Sequence, residues 1–208
     1  MWRKILVVSL VLAFAFGILF LSIFRTAAVR YEFGGTNIPQ PTQSGDGEIF
    51  IDYYLAYPGN VLPGSPFWPL KAVRDRAWIL LTTNSTRRAE LMLLLADKRL
   101  GSAKILFEEG NPEEGLSTLT KAEKYLDDAS RQEKESREKG FDTTEFLSTL
   151  TKASLKHYAQ ILEIEETAPE EAKPVINESL DYSRKVYEDA RNALLEKGIK
   201  PPENPFAW

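Results

Sequence analysis

Two hydrophobic patterns divide the chain. The first is a run of uncharged residues from Ile5 to Phe24, broken only by Ser9, Gly17 and Ser22. At about 1.5 Å rise per residue, a helix of this length matches the roughly 30 Å hydrocarbon core of a bilayer. A secretory leader has a shorter apolar stretch, about 7–15 residues. Residues 1–30 therefore read as a retained signal-anchor that crosses the lipid bilayer once, although Thr26-Ala27-Ala28 supplies the small residues of a cleavage site. Arg3 and Lys4 before the run are nearly balanced by Arg25 and Arg30 after it, so the positive-inside rule decides little. A basic start followed by an apolar run resembles an export signal, and the large domain is placed outside the cytoplasm, in the cell envelope.

The second pattern is helical periodicity, which begins after residue 65 and predicts an all-α domain, a bundle of about five antiparallel helices over residues 65–200. The first helix runs from Pro66 or Pro69 to Thr82, with Leu70, Val73, Ala77 and Leu81 as its apolar stripe and Ser65 as a cap. The second spans about Thr86 to Glu109. Its Leu91–Ala96 run is apolar all round, which places it at the centre of the core. The third opens with Asn111-Pro112-Glu113-Glu114, proline at the first helical position followed by acids facing the positive helix end. The fourth opens with Asp142-Thr143-Thr144-Glu145, a capping-box pattern. The fifth, from near Pro169, carries the heptad Ile176, Leu180, Ser183, Tyr187, Ala190, Leu194, and Gly198 with Pro201-Pro202 stops it. Residues 201–208 form a tail.

Between anchor and bundle, residues 31–64 lose the periodicity. Glycines and prolines punctuate Tyr31 to Asp46, which reads as a flexible tether. Glu48 to Leu55 is rich in strand formers but has no second strand to pair with, so it is read as extended chain packed on helices.

Composition narrows the chemistry. The chain has no cysteine and one histidine, and its 26 basic and 30 acidic residues form no evident basic stripe. Thiolate chemistry and disulfides are excluded, and nucleic acid is not an expected partner. No phosphate loop, nucleophile elbow or zinc motif is present, so no catalytic, cofactor-binding or metal-binding residue is assigned. His157 shares an apolar face with Leu150, Ala153, Ile161 and Ile164, and is read as a core residue whose ring finds one polar partner. Glu163, Glu165, Glu166, Glu170 and Glu171 lack the turn glycine of a calcium loop and are read as a solvated helix junction. Arg131 to Lys139 places opposite charges four apart and reads as a solvated helical projection without a core to pack against. Leu116-Ser-Thr-Leu-Thr-Lys-Ala122 recurs as Leu147-Ser-Thr-Leu-Thr-Lys-Ala153. A tetratricopeptide-like peptide-binding array is one reading of the echo, but two bundle helices with similar starts is preferred, because the signature repeat positions are absent.

The most specific stretch is Tyr57-Pro-Gly-Asn-Val-Leu-Pro-Gly-Ser-Pro-Phe-Trp-Pro-Leu-Lys71, followed by Arg87-Arg-Ala-Glu-Leu91 and Leu95-Ala-Asp-Lys-Arg-Leu100. It resembles an uncharacterised bacterial and archaeal domain-of-unknown-function family with a Leu-Pro-Gly-x-Pro-x-aromatic-x-Leu-Lys start and an Ala-Glu-Leu…Leu-Ala-x-x-Arg-Leu helix, usually behind an N-terminal span. The resemblance runs from about Tyr53 to Ala129, leaves the last two helices outside, and implies a helical fold at a membrane rather than a reaction. Prolines 58, 63, 66 and 69 stiffen this stretch. Phe67, Trp68 and Leu70 are expected to clasp the first helix to the bundle. The alternative use of Tyr53, Tyr54, Tyr57, Phe67 and Trp68 is an aromatic platform for a ligand. The functional expectation is a membrane-anchored, non-enzymatic module that binds an unknown protein partner or senses a state. The contrasting expectation is an envelope hydrolase with two facing carboxylates.

Overall fold

The computed structural model describes residues 50–206 and 208, together with residues 2, 7, 9–12, 14–15 and 17–18. Within Ile5–Phe24 the described residues are helical, and Val7, Leu10, Val11, Leu12, Phe14 and Ile18 are exposed. The expected span as a whole, and the tether from Tyr31 to Asp46, lie outside the described residues. No helix among the described residues is long and apolar enough to cross a membrane.

Five helices follow residue 65: α1 (Trp68–Leu81), α2 (Ser85–Glu108), α3 (Pro112–Glu138), α4 (Thr144–Thr167) and α5 (Lys173–Glu196). No strand occurs among the described residues. α2 packs on α3 as one hairpin and α4 on α5 as another. The hairpins join through α3 against α5 and α2 against α4, so neighbours run α2–α3–α5–α4 around the bundle. α3 and α4, consecutive in the chain, touch only weakly and face each other across a diagonal. α1 lies outside this square and makes only a small contact, with α2.

The core follows the periodicity in α2 and α5. Leu91, Leu93, Leu94, Leu95 and Ala96 are all buried, as are Ile176, Leu180, Ser183, Tyr187, Ala190 and Leu194. Gly110, Gly140 and Gly198 close α2, α3 and α5 with positive φ values of 75°, 85° and 72°, the conformation a helix C-terminus asks of glycine. Ile51 and Leu55 pack against the core while Tyr53 is buried in it, so the segment before α1 is extended chain laid on helices.

Several local expectations are corrected. α5 starts at Lys173, after a turn over residues 170–172, rather than near Pro169. The capping box at α4 is not made. Thr143 turns inward and its Oγ1 donates to Glu133 Oε1 at 2.5 Å, while Asp142 Oδ1 accepts from the backbone N of Thr144 at 3.1 Å. That contact also corrects the solvated projection: Gln132, Glu133 and Ser136 are buried, because the α3–α4 connection folds back over one face of the helix end. The tail packs back on the bundle through Phe206 and Trp208. Phe206 and Trp208 stand 4.7 Å and 5.0 Å from the ring of Tyr158, and Trp208 meets Tyr187 edge-on at 5.4 Å.

Candidate functional site

One polar cluster occupies the centre of the bundle, and five separate segments build it. Asp97 comes from α2, Glu123 from α3, His157 from α4, Ser183 from α5 and Tyr53 from the extended segment. All five are buried, and Glu123, His157 and Ser183 are wholly shielded from solvent. His157 Nδ1 lies 2.7 Å from Glu123 Oε1, and its Nε2 lies 3.1 Å from Asp97 Oδ1. Ser183 Oγ donates to Glu123 Oε2 at 2.5 Å. Tyr53 OH donates to Asp97 Oδ2 at 2.8 Å, where the backbone N of Ala56 also approaches at 3.4 Å.

The electrostatics follow from this geometry. Burial alone pushes the His157 pKa down, but the charge of Glu123 and the hydrogen bonds to both carboxylates outweigh it and raise the pKa to about 9. At neutral pH the ring is an imidazolium that donates from both nitrogens. It has no lone pair with which to accept a proton. Burial, then the Asp97 carboxylate, holds the Tyr53 phenol well above its ordinary range, so it stays a donor. The cluster binds its own members together and presents nothing to a solute. His157 has two polar partners where one was expected.

A second arrangement lies at the surface. α1 turns Trp68, Lys71, Asp75, Trp78 and Ile79 inward, and Trp78 and Ile79 pack with Leu91, Leu94 and Leu95 of α2. Lys71 Nζ donates to the carbonyls of Pro58 at 2.8 Å and Val61 at 3.0 Å, which ties the proline-rich segment to α1. Pro58 also sits on Gly101 of α2, where a Cβ would come within 3.3 Å of its Cδ. Trp68 is half-buried, with Lys71 Nζ 5.0 Å and the Arg99 guanidinium 5.6 Å from its ring. The Arg99 guanidinium also lies 4.7 Å from the ring of Tyr125. Such cation–ring stacking holds a buried guanidinium without a carboxylate.

The outward face of α1 is apolar. Phe67 is 69% exposed, Leu70 and Val73 are each 64% exposed, and Leu80 is 79% exposed. Phe67 and Leu70 therefore take no part in the expected clasp, whereas Trp68, its third member, is half-buried against Lys71 and Arg99. The stripe Leu70, Val73, Ala77, Leu81 was expected against the bundle, yet it points away, because Trp78 and Ile79 fill the contact with α2 instead. Of the five aromatic candidates, Tyr53 is withdrawn into the central cluster and cannot serve a surface platform. Tyr54 and Tyr57 are exposed, with Tyr57 OH donating to Asn60 Oδ1 at 2.8 Å.

Residues 60–171, more than half of the chain, match the family described as Domain of unknown function (DUF5667). The chain belongs to the DUF5667 family. No curated protein and no solved structure matches it. The DUF5667 match begins in the proline-rich segment and reaches past α4, so it takes in one of the two helices that the resemblance left outside. Asp97, Glu123 and His157 fall within the DUF5667 region, whereas Tyr53 and Ser183, which complete the hydrogen bonding, lie on either side of it.

Two of the five acids at the α4–α5 junction are paired with lysines. Glu163 accepts from Lys104 at 2.8 Å and Glu170 from Lys173 at 2.5 Å. Among the described residues of this DUF5667 chain, no group of three His, Asp or Glu side chains could hold a metal ion. Sequence reasoning missed Asp97 and Glu123. The available signal was an acid on a core face: Glu123 follows Leu119 by one turn, and Asp97 follows Leu93 by one turn. Ser183 had the same signature, a hydroxyl at a core heptad position.

Proposed function

We propose that this DUF5667 protein is a membrane-anchored docking module of the cell envelope, held by Ile5–Phe24 with its helical domain outside the cytoplasm, and that it works by binding rather than by catalysis. One contrast supports this reading. The groups best suited to chemistry, His157 with Asp97 and Glu123, are sealed in the core and satisfied by one another. The large exposed apolar side chains of Phe67, Leu70, Val73, Leu80 and Leu81 are instead gathered on one helix and its lead-in. Apolar faces of this kind mark interaction sites.

Photo-crosslinking in intact cells tests the proposal. A crosslinking residue at Leu70 is expected to yield adducts, identified by mass spectrometry, that the same residue at Glu188 on α5 does not. Adducts concentrated at Glu188 would overturn the assignment of the docking face.

A further inference from the structure

The charge around α1 points to the nature of its partner. Residues 61–99 hold seven basic and three acidic side chains, a balance of +4, whereas residues 100–208 hold fifteen basic and twenty-three acidic, a balance of −8. Folding sharpens this asymmetry. Two of the three acids in the basic region, Asp75 and Asp97, are buried, so the surface there is more basic than the sequence suggests. At about 3.6 residues per turn, Leu70, Val73, Ala77, Leu80 and Leu81 fall on one side of α1, with Arg74 and Arg76 on its two borders. No carboxylate of α1 reaches the surface: its single acid, Asp75, is buried beneath Arg74, which contacts it at 2.6 Å. Arg76 has no carboxylate partner among the described residues.

We infer that α1 lies flat on an anionic lipid surface, with Phe67, Leu70, Val73, Leu80 and Leu81 in the acyl boundary and Arg74 and Arg76 at headgroup phosphates. An apolar stripe bordered by arginines is the side-chain order of an interfacial helix. Long basic side chains can bury their stems while their charges stay at the headgroups. A second copy of the chain fits worse, because pairing two α1 faces brings arginine borders together without an exposed acid to receive them. The inference rests on the proposed anchoring, which keeps α1 beside a bilayer. The 43 residues from Arg25 to Phe67 include the 25 from Arg25 to Ile49 that precede the described domain. A connection of that length ties the domain to the same bilayer as the proposed anchor.

The absence of cysteine allows a clean test on the full chain. Leu80→Cys, labelled with an environment-sensitive fluorophore, is reconstituted into vesicles of phosphatidylcholine with phosphatidylglycerol, and into phosphatidylcholine alone. A label at Glu188→Cys serves as the control. On anionic vesicles the Leu80 label is expected to move to an apolar environment and to lose most of its access to acrylamide. The Glu188 label stays in water. Arg76→Gln, chosen because Arg74 covers Asp75, should weaken the docked state about fivefold, the equivalent of about 1 kcal/mol per basic residue. Added salt should act in the same direction. A chain that floats with the vesicles while its Leu80 label stays in water overturns the lipid inference alone, leaving an acidic protein as the occupant of α1. A chain that does not float with them overturns the anchored reading as well. Equal docking on both vesicle types overturns the anionic preference. Protection of the Leu80 label in detergent without lipid, rising with protein concentration, identifies self-association and overturns the inference.

Discussion

Glu123 and His157, 34 residues apart in sequence, meet at 2.7 Å across the diagonal of the bundle. The imidazolium is held there in a dry interior between two carboxylates, and the stability of the domain is therefore linked to pH. The folded pKa of about 9 lies above the unfolded value of 6.5. A raised pKa contributes stability that is fully present below the unfolded value and is lost as pH rises through the folded value. Denaturant melts are expected to show this loss between pH 6.5 and somewhat above 9, on the order of 3 kcal/mol from this group. His157→Gln should flatten that part of the profile. It should also cost about 3–5 kcal/mol at neutral pH, because the carboxylates are left buried without their cation. An unchanged profile would remove the imidazolium from the centre.

Tyr53→Phe isolates one hydrogen bond in the same cluster. The ring and its packing remain, while Asp97 loses the donor at 2.8 Å. Leaving a buried acceptor short of a partner costs about 1–3 kcal/mol. Chemical denaturation of the variant measures it, and parent-like stability would show that Asp97 is satisfied without the phenol.

Leu95 and Glu135 sit at opposite extremes of burial. Leu95 is packed with Trp78 and Leu91, so Leu95→Ala is expected to cost about 2–5 kcal/mol. Glu135 is well exposed and pairs with Lys139 at 3.8 Å, so Glu135→Ala should cost well under about 1 kcal/mol. Similar losses at both positions would misplace the core.

Phe67 and Trp78 divide the roles once assigned to the proline-aromatic stretch. Trp78→Ala empties the contact between α1 and α2 and should cost about 3–5 kcal/mol. Phe67→Ala removes an exposed ring and should leave the melting temperature near that of the parent. Thermal unfolding of both variants gives the comparison, and a large loss for Phe67→Ala would restore it as a clasp.

Retention of the anchor is open to intact-mass measurement on protein extracted from membranes. The expected mass includes the residues from Ile5 to Phe24. A mature N-terminus near Val29 would instead identify a cleaved leader.

Much of the bundle was legible because α2 and α5 bury the faces that their periodicity marks. α1 was read inside out for a physical reason. Both of its sides carry apolar residues, and spacing alone cannot tell Leu70, Val73, Ala77 and Leu81 from Trp68, Trp78 and Ile79. The inner side also contains Lys71 and Asp75, which look like surface residues until Pro58, Val61 and Arg74 satisfy them. The central cluster was half legible. His157 was placed on a core face, but its partners lie 34 and 60 residues away. No local pattern links such positions; the diagonal placement of α3 and α4 brings them together. The basic surface around α1 was hidden for the converse reason, since counting charges cannot show which acids will be buried.

The central cluster also bears on how the chain assembles. Its hydrogen bonds join α2 to α4 and α3 to α5, each across 60 residues of sequence. Either hairpin formed alone holds only part of the set: α2 and α3 bring Asp97 and Glu123 without their imidazolium, and α4 and α5 bring His157 without a carboxylate. Neither half has a good resting state of its own. The two hairpins are therefore expected to lock in one cooperative step, with the amide protons around the cluster exchanging only through global opening.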